Sequence, residues 1–244
     1  MRRRFIPPLK LRKKVGTYAD RVYQAKGERI LQFLIENCNL QPHETILDVG
    51  CGCGRVAVPL TSYIDSSGRY EGFDVDPSLI DWCKNHITAQ FPNFRFRRVN
   101  ILNGSYNPKG RVKAADYAFP YPEAHFHIAC ANAVFSHMLA PAVNRYFREI
   151  RRVLKPGGIC FSTFFLTKNG KQTRGGIFTA RRGICEIADP MAPEATVGYP
   201  FAFIKELHAR SGLVIEKVIR GSWHDARFEI DHPFQDVIIG RKRA

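Results

Sequence analysis

Ile46-Leu47-Asp48-Val49-Gly50-Cys51-Gly52-Cys53-Gly54-Arg55 is the stretch that decides the fold. Glu44 to Val49 is an apolar run of strand length, and three glycines at alternate positions follow where that run must turn. Glycine is needed where a backbone bends sharply and where no Cβ can stand between main chain and a ligand. Arg55 to Tyr63 then resumes helical spacing, so the unit reads as strand, glycine turn, helix. Twenty residues after Gly54, at the end of the next apolar run (Tyr70 to Val75), comes Asp74. A carboxylate there can accept both hydrogen bonds from a ribose diol.

Outward from this unit, strand and helix alternate. Val22, Ala25, Ile30, Leu31, Leu34 and Ile35 share a helical face over residues 20 to 38, and Pro77 opens a helix running to about Phe91. Phe94 to Val99 reads as a strand with Phe94 and Phe96 on one face and Arg95 and Arg97 on the other, and residues 101 to 125 form an irregular excursion. A strand over Phe126 to Val134, a helix over Pro141 to Leu154 and a strand over Gly158 to Leu166 follow. Residues 167 to 200 read as a long loop covering a site. A helix over Ala202 to Arg210 and strands over Leu213 to Ile219 and Gln235 to Ile239 close the pattern. The alternation predicts an α/β fold with a mostly parallel sheet covered on both faces and a ligand beyond the carboxyl ends of its strands. Residues 1 to 19 are expected to form a basic arm, and residues 20 to 244 one domain with a substrate-covering insertion at about 167 to 200.

The 244 residues carry 37 Lys and Arg against 22 Asp and Glu, a net charge of +15, yet basicity is local. Residues 1 to 14 hold seven basic side chains, 91 to 113 six and 241 to 244 three, with no acid in any of them. The arm is expected either to touch phosphates or a membrane surface or to be a solvated, frayed end. No apolar run approaches the ~18 residues of a membrane span. Pro7, Pro8 and the basic residues after Arg2-Arg3-Arg4 replace the apolar stretch of an export signal, so a cytoplasmic protein is expected. The seven cysteines then read as reduced thiols. His125, His127 and Cys130, or Cys51 and Cys53, lack the spacing of a structural zinc site, and no metal is expected.

The sequence resembles the class I S-adenosylmethionine-dependent methyltransferases over about residues 27 to 166. The likeness rests on Asp48 with its three glycines, on Gly72-Phe73-Asp74-Val75-Asp76-Pro77, and on Arg152-Val153-Leu154-Lys155-Pro156-Gly157-Gly158. It implies a Rossmann-like, doubly wound, seven-stranded sheet in the order 3-2-1-4-5-7-6, with one antiparallel strand near the C-terminus. It also implies S-adenosyl-L-methionine as cofactor. Gly50, Gly52 and Gly54, with Cys51, would approach its methionine and ribose portions, and Asp48 would orient the loop. Asp74 would hold the ribose hydroxyls and Val75 would lie against the adenine. Asn100 stands where the family commonly has an aspartate, with Ile101 beside it, and His127 replaces an aspartate that often opens strand four. Asn132 borders cofactor or acceptor by position.

Transfer to a hydroxyl needs a base, near neutral pH most naturally a histidine. His137, after strand four, is the first candidate and His224 the second; the alternative for each is a histidine that caps a loop. Phe164, Phe165, Phe178, Tyr199, Phe201, Phe203 and Trp223 are candidates for an acceptor pocket, and Arg174, Arg181 and Arg182 for an anion contact. Gly221-Ser222-Trp223 and then Phe234-Gln235-Asp236-Val237-Ile238 look similar to small bacterial methyltransferases encoded near sugar-transfer enzymes. The expected reaction is therefore O-methylation of a small molecule or glycan. Three other readings stay open: an RNA methyltransferase using the basic arm, a non-catalytic partner subunit, and an NAD(P)-dependent oxidoreductase. The last arises because Gly52-Cys53-Gly54-Arg55-Val56-Ala57 also satisfies a dinucleotide fingerprint.

Overall fold

The computed structural model describes residues 5–167, 177–224 and 233–243. In chain order its elements are α1 (Leu9–Lys14), α2 (Asp20–Cys38), β1 (Thr45–Val49), α3 (Ala57–Leu60), β2 (Arg69–Asp74), α4 (Pro77–Cys83), β3 (Phe94–Arg98), β4 (Ile101–Leu102), β5 (Val112–Lys113), β6 (Phe126–Ala131), α5 (Ala140–Val153), β7 (Leu154–Thr167), β8 (Ala180–Arg182), β9 (Cys185–Ile187), β10 (Val197–Pro200), α6 (Phe201–Arg210), β11 (Leu213–Ile219) and β12 (Asp236–Lys242). They fall into two compact units, residues 1–99 with 126–130, and residues 100–125 with 131–244. Among the described residues no helix is long and apolar enough to cross a membrane.

In the first unit four parallel strands run in the order β3-β2-β1-β6, the expected 3-2-1-4. Ile46, Leu47, Asp48 and Val49 are all buried, as a strand covered on both faces requires. At β3 Phe94 and Phe96 turn inward, while Arg95 and Arg97 stay exposed on a strand whose position at the sheet edge suits charge. The helix expected over Arg55 to Tyr63 contracts to α3, because Pro59 has no amide hydrogen to close a turn on Arg55. The Arg55 carbonyl instead faces α2, 2.5 Å from where a Cβ on Gly27 would stand. Asp76 caps α4, accepting from Ser78 N at 2.8 Å and Leu79 N at 3.3 Å, with Pro77 in the first turn. A π-helical turn, Lys84–Thr88, completes the helix expected to reach about Phe91.

In the second unit β7 pairs antiparallel with β12 over Ile159–Phe164, and β12 pairs antiparallel with β11, the expected 5-7-6. The open loop expected over 167 to 200 is corrected by three strands. β8 and β9 form a hairpin turning at Gly183, whose φ is 62°, and β10 pairs with β9 and runs parallel to the end of β7. These strands take the count beyond seven. Buried Cys185, Ile187, Val197 and Tyr199 repeat at period two and supply the driving force. Phe135 stacks on Phe164 with centroids 5.1 Å apart, and Phe147 and Tyr199 complete that core. Buried Glu149 on α5 accepts Phe119 N at 2.8 Å and pairs with Arg152 at 2.6 Å, anchoring the excursion between β4 and β6.

Candidate active site

The first unit carries the glycine turn. Gly50 N and Cys51 N both donate to Phe73 O, at 2.9 and 3.0 Å, and so bind the turn to the end of β2. Gly50, Gly52 and Gly54 take φ of 70°, 55° and 77°, where a side chain would cost about 1–2 kcal/mol per residue. Cys51 is buried and fills the space over Gly72, where a Cβ would meet its Sγ at 3.0 Å.

Asp74 belongs to the same turn. Its Oδ2 accepts Gly52 N at 2.9 Å and its Oδ1 accepts Asp76 N at 3.0 Å. Each oxygen keeps lone-pair capacity, and Asp74 is partly buried beside buried Phe73 and Gly52. That donor set fits the two hydroxyls of a ribose, as an adenosyl cofactor requires. Burial pushes the Asp74 carboxyl up, and the Asp76 and Gly52 amides oppose that shift. Val75 follows it, half-buried. Asp48 is fully buried on β1, and its partner is the Tyr70 hydroxyl on β2, 2.5 Å away. Desolvation raises the Asp48 carboxyl to about 7, against the opposing hydrogen bond from Tyr70.

The turn is covered from the N-terminal side, where sequence gave a choice between a phosphate-contacting tail and a frayed end. Val15 Cγ1 lies 2.9 Å from where a Cβ on Gly52 would stand. Arg55 Nη1 donates to Val15 O at 3.2 Å and to Thr17 Oγ1 at 2.9 Å. Lys14 Nζ sits 2.6 Å from Asp76 Oδ2 and 3.0 Å from Ser78 Oγ. Arg12 is buried, donating to Pro7 O and Tyr18 O and pairing with Asp20. Two of the arm's cations, buried Arg12 and exposed Lys14, therefore pair with acids of the same chain, and Arg2, Arg3 and Arg4 lie outside the described residues.

The remaining candidates lie in the second unit. The Asn100 amide oxygen accepts from Asn107 Nδ2 at 3.3 Å, and Ile101 is buried in β4. Asn132 follows β6, half-buried, and Ala133 N donates to Thr163 Oγ1, which in turn donates to Gln235. His137 has both ring nitrogens engaged. Nδ1 lies 3.3 Å from the Glu194 carbonyl and so carries the proton, leaving Nε2 to accept the Tyr106 hydroxyl at 3.3 Å. Burial lowers its pKa. His224 has its Nε2 at 2.8 and 3.0 Å from the two oxygens of fully buried Asp236, which also accepts Trp223 Nε1 at 2.6 Å, Gly221 N at 3.0 Å and Leu166 N at 2.9 Å.

Of the aromatic candidates, Phe165, Phe178 and Trp223 pack edge to face as one cluster beside His224, whereas Phe164, Tyr199 and Phe203 belong to the core stack. Arg181 pairs with Glu186 across the β8–β9 hairpin, Arg182 is exposed, and Arg174 lies outside the described residues. His127 Nδ1 accepts the Thr45 amide at 2.9 Å, so this histidine pins β6 to β1. No cysteine is in a disulfide. Asp236, Lys14 and Val15 were not singled out from sequence. A buried Trp223 indole that needs an acceptor was the one available signal for Asp236.

A family model described as a methyltransferase domain matches residues 47–162. The 2-phytyl-1,4-naphtoquinone methyltransferase of Trichormus variabilis is 26% identical over 136 residues, 55% of this chain and 52% of that protein. The cycloartenol-C-24-methyltransferase of Arabidopsis thaliana is 31% identical over 132 residues, 54% of this chain and 34% of that protein. This chain thus spans about half the length, or less, of these relatives. The cyclase SpnF shares the fold with a TM-score of 0.61 at 19% identity, over 89% of this chain and 82% of that one. Residues 47–162 match a methyltransferase domain, and that match, with the methyltransferase relatives, supports the chain's resemblance to the class I S-adenosylmethionine-dependent methyltransferases.

Proposed function

We propose that this protein transfers a methyl group from S-adenosyl-L-methionine to a hydroxyl of a small, apolar acceptor. The observation that carries the reading is Asp74, tied by Gly52 N to the glycine turn with both oxygens still able to accept. Gly50, Cys51, Gly52 and Gly54 would hold the cofactor's methionine and ribose portions, Asp74 the ribose hydroxyls and Val75 the adenine. In the second unit Asn100, where the family commonly has an aspartate, and its neighbour Ile101 are assigned to the cofactor, and Asn132 by its position alone. The cofactor, when bound, supplies an electrophilic methyl on a sulfonium whose charge is lost on transfer.

The chain's own residues supply the rest. His224 is the base, because buried Asp236 lies against its Nε2 and stabilises the imidazolium formed when the ring takes up the acceptor's proton. His137, engaged at both nitrogens, holds the segment around Asn103 and Tyr106 instead. Phe165, Phe178 and Trp223 keep water from the His224 side, which favours charge neutralisation. An apolar acceptor is supported by this cluster and by the quinone and sterol-type names of the relatives. An RNA acceptor is disfavoured by the internal pairing of Arg12 and Lys14.

The test is incubation with methyl-labelled cofactor and cell extract separated into lipid, glycan, nucleic-acid and protein fractions. Label in the lipid fraction supports the reading. Label confined to glycan, nucleic acid or protein replaces it.

A further inference from the structure

We infer that residues 9–17 are a cover on the nucleoside turn and that the cofactor is admitted and released by displacement of that cover. The inference rests on residues 50–54 and Asp74 being the cofactor site.

Three observations converge on this segment. Val15 sits directly on Gly52, so the glycine is demanded there by a side chain of the same protein as well as by any ligand. The fastenings of the segment reach the groups that build the site. Lys14 binds Asp76 and Ser78 at the cap of α4, two residues beyond Asp74, and Arg55, next to Gly54, holds Val15 O and Thr17 Oγ1. Gly16, with φ of 65°, stops α1: its amide donates to Lys13 O at 3.1 Å and the Thr17 amide to Arg12 O at 2.9 Å, so a short capped helix presents Val15 to the turn.

The fastenings are unequal. Arg55 and Thr17 meet in a sheltered place and Arg12 is buried against Tyr18 and Asp20, but the Lys14 side chain is 46% exposed, and ion pairs at such a surface are weak and screened by salt. The Lys14 end is therefore the one that lifts. All of these contacts join protein groups to one another. Weakening them shifts the open and closed populations without adding or removing a ligand contact, so entry and exit should accelerate together while affinity changes little.

The experiment is rapid mixing of the full chain with S-adenosylhomocysteine, followed by fluorescence of Trp82, which is buried on α4, for the wild type, Lys14→Ala and Val15→Ala. The cover predicts association and dissociation rates both raised about two- to five-fold in each variant, with Kd changed less than two-fold. Raising salt from about 50 to about 500 mM should speed exchange in the wild type but not in Lys14→Ala. Unchanged rates in both variants, or an equal salt effect with and without Lys14, overturn the cover alone. Failure of the wild type to bind the nucleoside overturns the site beneath it, and the cover falls with it.

Discussion

The Tyr70 hydroxyl donates to Asp48 Oδ2 across adjacent strands, inside a core that leaves both side chains almost without solvent. Because desolvation lifts the Asp48 carboxyl to about 7, the folded state holds a proton that the unfolded chain releases near the ordinary carboxylate range. Stability from this group is fully present below that range and is lost as pH rises through about 7. Thermal unfolding should therefore show a midpoint that falls between pH 5 and 8, and Asp48→Asn, which can still accept from Tyr70, should flatten that dependence. An equally steep fall in the variant would show that Asp48 is not its source.

Gly52→Ala should destabilise the protein by about 1–3 kcal/mol, since it combines a positive φ with a contact on Val15. Val15→Ala opens room beside it, so the double variant should lose less than the two single losses together. Urea titration of all four proteins measures the coupling. Strict additivity would mean that Val15 and Gly52 do not press on each other.

His224→Gln should lower kcat by about 10²-fold or more while leaving the Kd for S-adenosylhomocysteine within two-fold, as removal of a proton acceptor does. Asp236→Asn should lower kcat as well, with a smaller loss of turnover in His137→Ala, whose ring is committed to Glu194 and Tyr106. Steady-state kinetics on the acceptor found by labelling decides between them. A larger loss at His137 than at His224 would reverse the assignment.

Much of the first unit was legible in sequence because one element specifies it. Three glycines at a strand end require a turn, and Asp74 at the matching end of the next strand can serve only what that turn presents. The 5-7-6 arrangement of β7, β12 and β11 came from the family likeness and holds in the second unit. The six residues of α1 are too few to show a periodicity, so the arm's charges left a choice between an external contact and a solvated end, whereas Arg12 and Lys14 pair with Asp20 and Asp76. β8 to β10 were hidden because three- and four-residue strands among Pro, Thr and Gly resemble loop until their pairing is known. Asp236 was missed for a related reason. A single acid opening a strand is uninformative until Leu166, Gly221, Trp223 and His224 are seen to converge on it.

The most direct test is titration calorimetry of the full chain with S-adenosylhomocysteine and, separately, with NAD, repeated for Asp74→Ala. The nucleoside should bind the wild type, with affinity at least ten-fold weaker in Asp74→Ala, and NAD should give no heat. Binding of NAD in preference to S-adenosylhomocysteine, or nucleoside affinity indifferent to Asp74, would contradict the account.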